Sequence, residues 1–349
     1  PQESVMRRRA RSPGPALGPA PDPTPADGTL EPVPRCLACG TAERVPQAEV
    51  RAQMMPRDAP EERFAFVRCT RCGLVYLDPR VPAARLGRYY TRAYLPYRGA
   101  TAWGPFAPLV AAGERAMDRA RVALVRRYAA PGPAARVLDV GCGRPTFLRA
   151  LVDATGCHGI GLDFSDHGWR EEGERWTGLD LRVGEPGGMA SGEGADVVTQ
   201  WHYLEHDYAP RETLAGVREV VRGSDHPHGP RLFIEVPDHD ARTRVRYGAG
   251  WAGYHAPRHT ALYTAASLRT LLEGSGWEVV AMHRSGTLDP WVLAWMSRME
   301  ARGIDWAAGM AARFPGYVAG RLLWTLRTRG QRAGLGMLTA VARPGGGAP

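Results

Sequence analysis

Two short glycine-containing segments stand where a nucleoside-binding site needs them. The apolar run 137–140 enters a turn at Gly141 and Gly143, and about two dozen residues later the apolar run 159–162 ends on Asp163. Glycines at such a turn let the backbone approach a ligand closely, and a carboxylate at the end of the second strand accepts hydrogen bonds from a ribose diol. The pattern predicts a site for an adenosine-containing cofactor; for the glycines alone, a strand-to-helix turn without a ligand is the alternative.

The residues around this turn separate two classes of cofactor. A dinucleotide fold carries a third glycine where this chain has Arg144 and Pro145, and its fingerprint has no acid immediately before the turn, where this chain has Asp139. An acid there can meet the ammonium or methionine part of S-adenosylmethionine, which has no pyrophosphate that needs a helix N-terminus. Pro145 suits the first turn of a following helix because its fixed φ fits there. These residues favour S-adenosylmethionine.

Further motifs follow this unit. Residues 195–206 form an apolar strand pattern that ends in Leu-Glu-His, and residues 231–237 and 257–264 carry later strand-like segments. With these motifs the chain resembles class I S-adenosylmethionine-dependent methyltransferases over about 210 residues, from Arg136 to Arg343. The resemblance implies a Rossmann-like, doubly wound α/β fold with a mostly parallel seven-stranded sheet. It also implies that the cofactor-binding residues are Asp139, Gly141, Gly143, Asp163, Phe164 and Gln200.

Four of the six cysteines lie in two Cys-x-x-Cys pairs, each followed by glycine. Such a pair places two thiolates on one tight turn, and four sulfurs suit a tetrahedral structural zinc without an open position. The alternatives are a redox pair or reduced thiols that bind nothing. A zinc ribbon before the main domain resembles a bacterial group of natural-product and sugar-modifying methyltransferases. The predicted zinc ligands are Cys36, Cys39, Cys69 and Cys72.

Methyl transfer from a sulfonium is an in-line displacement, so the enzyme aligns the acceptor and, where needed, removes its proton. Residues for this work should follow the fourth and fifth strands, and histidine deprotonates a phenol or a carbon acid near neutral pH without much tuning. We expect His255 or His259 to be the base, with His202 next and Tyr254 as a further candidate.

Glu205 and His206 admit two interpretations. In this fold the pair often orients the loop after the fourth strand through hydrogen bonds. Alternatively, His202, Glu205 and His206 bind a divalent metal that orients a chelating acceptor, a placement that resembles quinone-biosynthesis O-methyltransferases. His202 stands where those enzymes have a carboxylate, which favours a softer ion than magnesium.

The chain divides into several predicted segments. A tail of Pro, Ala and Arg (1–33) is expected to be disordered, because it cannot bury enough apolar surface. A zinc ribbon (34–82) and a helical lead-in or lid (83–130) precede the methyltransferase domain (131–343), in which strands alternate with helices, including a helix over 166–176. Insertions at 238–263 and 286–333 are expected to form an acceptor lid and a helical segment.

Composition limits the partners. The chain of 349 residues has a formal net charge of +9, but every basic side chain is arginine, as a GC-rich genome would produce, so no general cationic groove is indicated. The arginines near the start run into Pro and Ala without the apolar stretch of a signal peptide, and no uninterrupted apolar segment reaches the length of a membrane span. We expect a cytoplasmic protein; the sequence leaves its oligomeric state open.

The sequence predicts a methyltransferase that acts on an oxygen or carbon of a small molecule, possibly hydrophobic or anionic, in specialised metabolism. An RNA methyltransferase is the first alternative, because zinc ribbons and a high isoelectric point occur in such proteins. Against nucleic acid, residues 200–203 carry no base-methylation motif of the Asn-Pro-Pro-Tyr kind. A binding protein that has kept the fold without catalysis is the second alternative.

Overall fold

A small antiparallel sheet begins the folded chain. The computed structural model describes residues 30–91, 93–186, 194–221 and 229–346. Strands β1 (Arg44–Arg51), β2 (Arg63–Cys69) and β3 (Val75–Leu77) pair in that order. Glu31 and Arg80 exchange backbone hydrogen bonds, so the last residues of the predicted tail lie with this sheet, while residues 1–29 fall outside the described parts.

The predicted lead-in is helical. It contains α1 (Ala83–Leu86), α2 (Leu95–Arg98) and α3 (Ala107–Tyr128), with a 3-10 stretch before α3. Buried side chains of α3 recur at Asp118, Arg121, Val122 and Val125, which is one face of an α-helix. That face packs on the main sheet and on the helix that follows the glycine turn.

The main sheet has the predicted seven strands and is mostly parallel. The remaining strands of the chain, all of which except β9 belong to the main sheet, are β4 (Arg136–Val140), β5 (His158–Asp163), β6 (Asp180–Val183), β7 (Val197–Trp201), β8 (Arg231–Pro237), β9 (Ala261–Leu262), β10 (Trp277–His283) and β11 (Met337–Pro344). The sheet order is β6-β5-β4-β7-β8-β11-β10; β4 to β8 run parallel, and β11 runs antiparallel to both of its neighbours. The order reverses between β4 and β7, where an open α/β sheet binds its ligand.

The remaining helices are α4 (Thr146–Thr155), α5 (Pro210–Val220), α6 (Arg242–Tyr247), α7 (Ala265–Gly274), α8 (Pro290–Ala301) and α9 (Phe314–Thr328). The predicted helix over 166–176 is reduced to a 3-10 stretch, Arg170–Trp176. The residues before that stretch instead pack against the glycine turn that follows β4. The contact is so close at Gly168 that a Cβ there would lie 2.1 Å from the carbonyl oxygen of Gly143. No described helix is both long and apolar enough to cross a membrane.

The core lies on both faces of the sheet. Alternate residues of β4 face opposite ways, so Leu138 packs with α5 and α7, whereas Val137 packs with α3 and α4. A third cluster joins the N-terminal sheet to the insertions, and its aromatic rings include Trp103, Trp291, Trp295 and Trp306. Trp295 of the 286–333 insertion packs against Trp103 of the lead-in, with ring centroids 5.4 Å apart, and Trp306 packs on Trp295 at 6.1 Å.

The 238–263 insertion binds the N-terminal sheet to the domain. Its strand β9 pairs with β3, so a strand from beyond β8 completes the first sheet. The guanidinium of Arg258, fully buried, donates to the backbone carbonyls of Tyr89 and Gln53. Arg258 therefore holds the lead-in and the N-terminal sheet to the insertion, and it is not free to clamp a ligand.

Candidate active site

The glycine turn after β4 has the backbone that its sequence predicts. Gly141 and Gly143 have φ of +73° and +49°, values that glycine adopts at little cost. A Cβ at Gly141 would lie 2.5 Å from Cδ2 of Tyr203, whereas a Cβ at Gly143 would meet nothing within 4 Å among the described residues. Gly141 thus allows the segment after β7 to pack on the turn, and Gly143 leaves the turn open for a ligand.

Asp163 ends β5 beside this turn. Its Oδ2 accepts a hydrogen bond of 2.9 Å from the Gly143 amide, and its Oδ1 accepts one of 3.3 Å from the Ser165 amide. Burial raises the pKa of Asp163 above its usual value, and the amide hydrogen bonds oppose that shift. A carboxylate has about four acceptor positions, so these hydrogen bonds do not exhaust its capacity to accept. The neighbouring Phe164 is 70% exposed, as a side chain that covers a bound base would be before binding.

Asp139 lies buried in β4 next to β7. Its Oδ1 accepts a hydrogen bond of 2.6 Å from the Thr199 hydroxyl. Burial raises the pKa of Asp139 to about 7, although the Thr199 hydrogen bond and the nearby charge of Arg121 lower it. A nearby cation lowers the pKa of such an acid and favours its charged form near neutral pH, which suits an ammonium group.

The lead-in helix adds two charged residues that the sequence reasoning missed. Arg121 Nη1 lies 3.9 Å from Asp118 Oδ1, its Nε donates to the Thr287 hydroxyl at 3.2 Å, and its guanidinium lies over the ring of Trp201 at 5.0 Å. Both side chains of the pair are buried on the sheet-facing side of α3. The signal for them was present, because charges stand in helical phase with buried valines at i, i+3, i+4 and i+7.

Gln200 occupies the opposite face. Asp139 and Thr199 are paired in neighbouring parallel strands, so their side chains lie on the same face of the sheet. The side chain of Gln200, the next residue along β7, therefore lies on the other face. Gln200 is fully buried, and neither its amide nitrogen nor its amide oxygen makes a hydrogen bond within the described residues. Its place in a cofactor site stays a prediction.

His202 follows β7 in a left-handed conformation, φ +60°, between two buried carboxylates. Its Nδ1 lies 3.5 Å from Glu205 Oε1, and its Nε2 lies 3.3 Å from Glu235 Oε1. Burial lowers the pKa of His202, but the two carboxylates outweigh that effect and raise it to about 9. A quarter of the His202 side chain remains exposed, so a cationic ring stands at the edge of the sheet.

Glu235 is fixed by hydrogen bonds around this histidine. Its carboxylate accepts from the Thr287 amide and hydroxyl at 2.6 and 2.8 Å and from the Thr339 hydroxyl at 2.8 Å. Burial opposes ionisation, yet His202, the nearby charge of Arg121 and the Thr339 hydrogen bond together bring the pKa of Glu235 down to about 2. Glu235 therefore supplies the negative charge that keeps His202 protonated.

The insertion histidines are buried beside this segment. The ring centroids of His255 and His259 lie 4.8 Å apart, and that of His206 lies 4.6 Å from His259. Burial, with the positive charge of Arg258 nearby, holds the pKa values of His255 and His259 well below the usual value. Nε2 of His255 has no hydrogen-bond partner in the part of the chain that the structure describes.

Tyr254 contributes packing to the same region. Its ring lies 5.0 Å from that of Phe66 and 5.7 Å from that of Trp251, and it is almost fully buried. Burial raises the pKa of its hydroxyl, so the phenol stays protonated near neutral pH and has no free base form to offer. Its catalytic role stays a prediction.

The groups that could share a metal differ from the predicted set. Glu205, His206 and His259 offer ligand atoms that all lie within 4.8 Å of one another. His202 instead lies between the carboxylates of Glu205 and Glu235. His259 thus belongs to this cluster of possible ligands, whereas the predicted ligand His202 lies outside it.

The four cysteines of the N-terminal unit form one cluster. Their sulfurs lie within 4.8 Å of one another, and the pairs Cys36–Cys72 and Cys39–Cys69 are 3.5 Å apart. A tetrahedral zinc with Zn–S bonds of about 2.3 Å sets its sulfurs about 3.8 Å apart. Gly40 and Gly73, with φ of +75° and +78°, turn the backbone after each pair. The cysteines fit a tetrahedral ion.

Known proteins resemble the main domain in sequence and in fold. Residues 114–282 match a family model described as a methyltransferase domain. The matched part of the chain is therefore similar to methyltransferase domains. Its matched residues run from α3 through β10 and include the glycine turn, Asp163 and the segment after β7.

One curated protein and several solved structures resemble the methyltransferase domain. The 2-ketoarginine methyltransferase of Streptomyces arginensis is 30% identical over 161 residues, which are 43% of this chain and 48% of that protein. This chain therefore spans about half the length of the curated relative that it matches.

Among solved structures, the 1,6-didemethyltoxoflavin-N1-methyltransferase of Burkholderia thailandensis, with 1,6-didemethyltoxoflavin and S-adenosylhomocysteine bound, aligns with a TM-score of 0.47. The alignment has 16% identity and covers 79% of this chain and 96% of that chain. The [4+2]-cyclase SpnF aligns with a TM-score of 0.45 and 18% identity, over 66% of this chain and 82% of that one.

Proposed function

We propose that the protein transfers a methyl group from S-adenosylmethionine to an oxygen or carbon of a small-molecule acceptor in specialised metabolism. The observation that carries the proposal is the position of residues 202–206. Tyr203 of this segment packs on Gly141 of the glycine turn, while His206 Nδ1 lies 3.0 Å from the carbonyl oxygen of Arg258 in the insertion. One short segment therefore joins the predicted cofactor side of the site to the insertion histidines, which burial keeps neutral.

The residues on the cofactor side match the parts of S-adenosylmethionine. Asp163 has acceptor positions for a ribose diol, Phe164 has an exposed ring for the base, and Asp139 carries a charge suited to the ammonium group. Arg121 is suited to the carboxylate of the methionine part, because a guanidinium fork matches a carboxylate. When bound, the cofactor supplies an electrophilic methyl group on a sulfonium.

The acceptor side suits a molecule that carries both an anionic group and a weakly acidic proton. His202, held cationic by Glu205 and Glu235, attracts a carboxylate or an oxyanion. His255 takes the proton, because its Nε2 has no partner within the described residues and its ring lies in the same histidine group. A 2-oxo acid, the kind of molecule that the name of the curated relative indicates for that protein, has both features, since its carbonyl acidifies the neighbouring carbon.

The cysteine cluster holds a structural zinc. Four thiolates leave a tetrahedral ion without an open position, so this ion stabilises the N-terminal unit and takes no part in the reaction.

Label transfer tests the proposal. The full chain is incubated with S-adenosylmethionine labelled at its methyl group and a panel of phenols and 2-oxo acids, and labelled products are separated. We expect transfer to at least one acceptor, and His255→Ala should lower kcat by roughly 100-fold or more while the Kd for S-adenosylhomocysteine stays unchanged. His158→Ala, on an exposed residue at the other end of β5, is the matched control. Full turnover in His255→Ala would remove His255 from the role of base.

A further inference from the structure

Three potential metal ligands converge beyond the carboxyl end of β7. Glu205 and His206 lie on the short turn after this strand, and His259 comes from the insertion that packs against it. We propose that Glu205, His206 and His259 bind one divalent transition-metal ion, and that an oxygen of the acceptor occupies an open position on it. The second half of this proposal rests on the proposed function; the first half does not.

The backbone selects the ring nitrogens that can ligate. His206 Nδ1 lies 3.0 Å from the carbonyl oxygen of Arg258, and His259 Nδ1 lies 2.9 Å from that of Gly253. A carbonyl oxygen only accepts, so in each neutral ring Nδ1 carries the proton and Nε2 keeps its lone pair. Metal-bound histidines are held in this way, with the far N–H donated to a carbonyl or carboxylate.

Glu205 supplies a carboxylate that the protein leaves without donors. The side chain is 1% exposed, and neither of its oxygens makes a hydrogen bond within the described residues. Its closest charged neighbour, His202 Nδ1, lies 3.5 Å away. The cationic ring of His202 compensates part of the cost of burying this carboxylate, and an ion at this position would bind the oxygens directly.

The spacing fits a shared ion. Glu205 Oε1 lies 4.0 Å from His259 Nε2, and all three ligand atoms lie within 4.8 Å of one another. Two ligands on one ion, each at about 2.1 Å, are at most about 4.2 Å apart, so small side-chain rotations complete the site. Two histidines and one carboxylate prefer zinc or a divalent first-row ion over magnesium or calcium, and they leave coordination positions open.

An ion here would change the acceptor chemistry. Bound to an acceptor oxygen, it would act as a Lewis acid and favour loss of a proton from that oxygen or from the adjacent carbon. Because the ring of His255 lies 4.8 Å from that of His259, a base stands next to the ion. The site therefore favours acceptors that chelate through two oxygens, as 2-oxo acids and catechols do.

Metal binding is measured without cofactor or acceptor, so its failure is distinct from failure of methyl transfer. Full-length protein that retains zinc at its cysteines is dialysed against a mild chelator and titrated with cobalt(II) chloride by calorimetry, with elemental analysis of the same sample. We expect one cobalt ion per chain. His259→Ala and the isosteric Glu205→Gln should each weaken binding by at least about 100-fold, because loss of an outer-shell partner alone costs roughly 10- to 100-fold.

Two other histidines serve as controls. His239→Ala removes a buried histidine of the same region that is outside the trio and should bind cobalt as the wild type does. His202→Ala should weaken binding less than His259→Ala. Thermal unfolding shows whether each variant folds; Glu205→Gln carries the test if His259→Ala does not. The proposal is overturned if wild type binds no cobalt, if folded Glu205→Gln binds it normally, or if His202→Ala loses it and His259→Ala keeps it.

Discussion

At the scale of single residues, the site is built from charged groups that burial holds away from their ordinary ionisation. Asp139 is the clearest case, because burial raises its pKa to about 7 although the Thr199 hydroxyl donates a hydrogen bond to it. Such an acid costs the folded chain stability that a bound cation would restore. A residue that destabilises the free protein in this way is typical of a binding site, where stability is exchanged for affinity.

Asp139→Asn should therefore stabilise the protein in a pH-dependent manner. Between pH ~4 and ~7, Asp139 keeps its proton in the folded chain but loses it in the unfolded chain. The loss of folding stability caused by this buried acid therefore grows as pH rises through this window and is complete above it. The amide avoids this cost and still accepts from Thr199. The free energy of unfolding, from urea titrations, should rise in Asp139→Asn by about 1–4 kcal/mol at pH 8 and by less at pH 5.

The exposed Asp153→Asn on α4 is the control and should show no such growth with pH. A loss of stability in Asp139→Asn that is equal at the two pH values would contradict the buried-acid interpretation. In the proposed site, the same substitution should also weaken binding of S-adenosylmethionine, because an amide does not attract its ammonium group.

At the scale of elements, the sequence predicted the parts that depend on local pattern. The apolar runs that end in glycine or an acid predicted the positions of β4, of β5 and of the turn between β4 and α4. They could do so because buried parallel strands have a simple sequence pattern. The 3-10 stretch Arg170–Trp176 departed from its expected helix, since the turn before it packs against Gly143 at Gly168.

Contacts between distant elements could not be read in this way. His259 reaches Glu205 because β9 of the insertion joins β3, and no local pattern specifies that pairing. Arg121 could have been identified from the sequence. A charged residue on the same helix face as the buried valines of α3 has to be paired or to face a site. Such residues become visible from sequence only once the face of the helix is assigned.

At the scale of the whole molecule, the N-terminal unit is part of the same folded body as the sheet. Cys36 and Cys69 are buried in one apolar cluster with Leu138 of β4 and Leu204 after β7. The unit also contributes Tyr76, which pairs with β9 next to the histidine segment. Its integrity should therefore affect the site, although its proposed zinc lies outside the chemistry.

Loss of the zinc should loosen more than residues 34–82. Cys39→Ser is expected to lose one equivalent of zinc by elemental analysis and to increase amide hydrogen exchange both in β1 to β3 and in residues 259–263. Cys157→Ser, which alters a buried cysteine outside the cluster, should retain its zinc. Exchange that rises only in β1 to β3 of Cys39→Ser would show that the unit is independent of the site.

Calorimetric titration of the full chain with S-adenosylhomocysteine is the decisive experiment for a cofactor site at the glycine turn. We predict saturable binding with one site per chain, weakened roughly 10- to 100-fold in Asp163→Ala, because that carboxylate would accept charge-assisted hydrogen bonds from the ribose. Asp153→Ala, an exposed acid on α4, should bind like wild type. No binding by the wild-type chain, or equal binding by Asp163→Ala, would contradict the account.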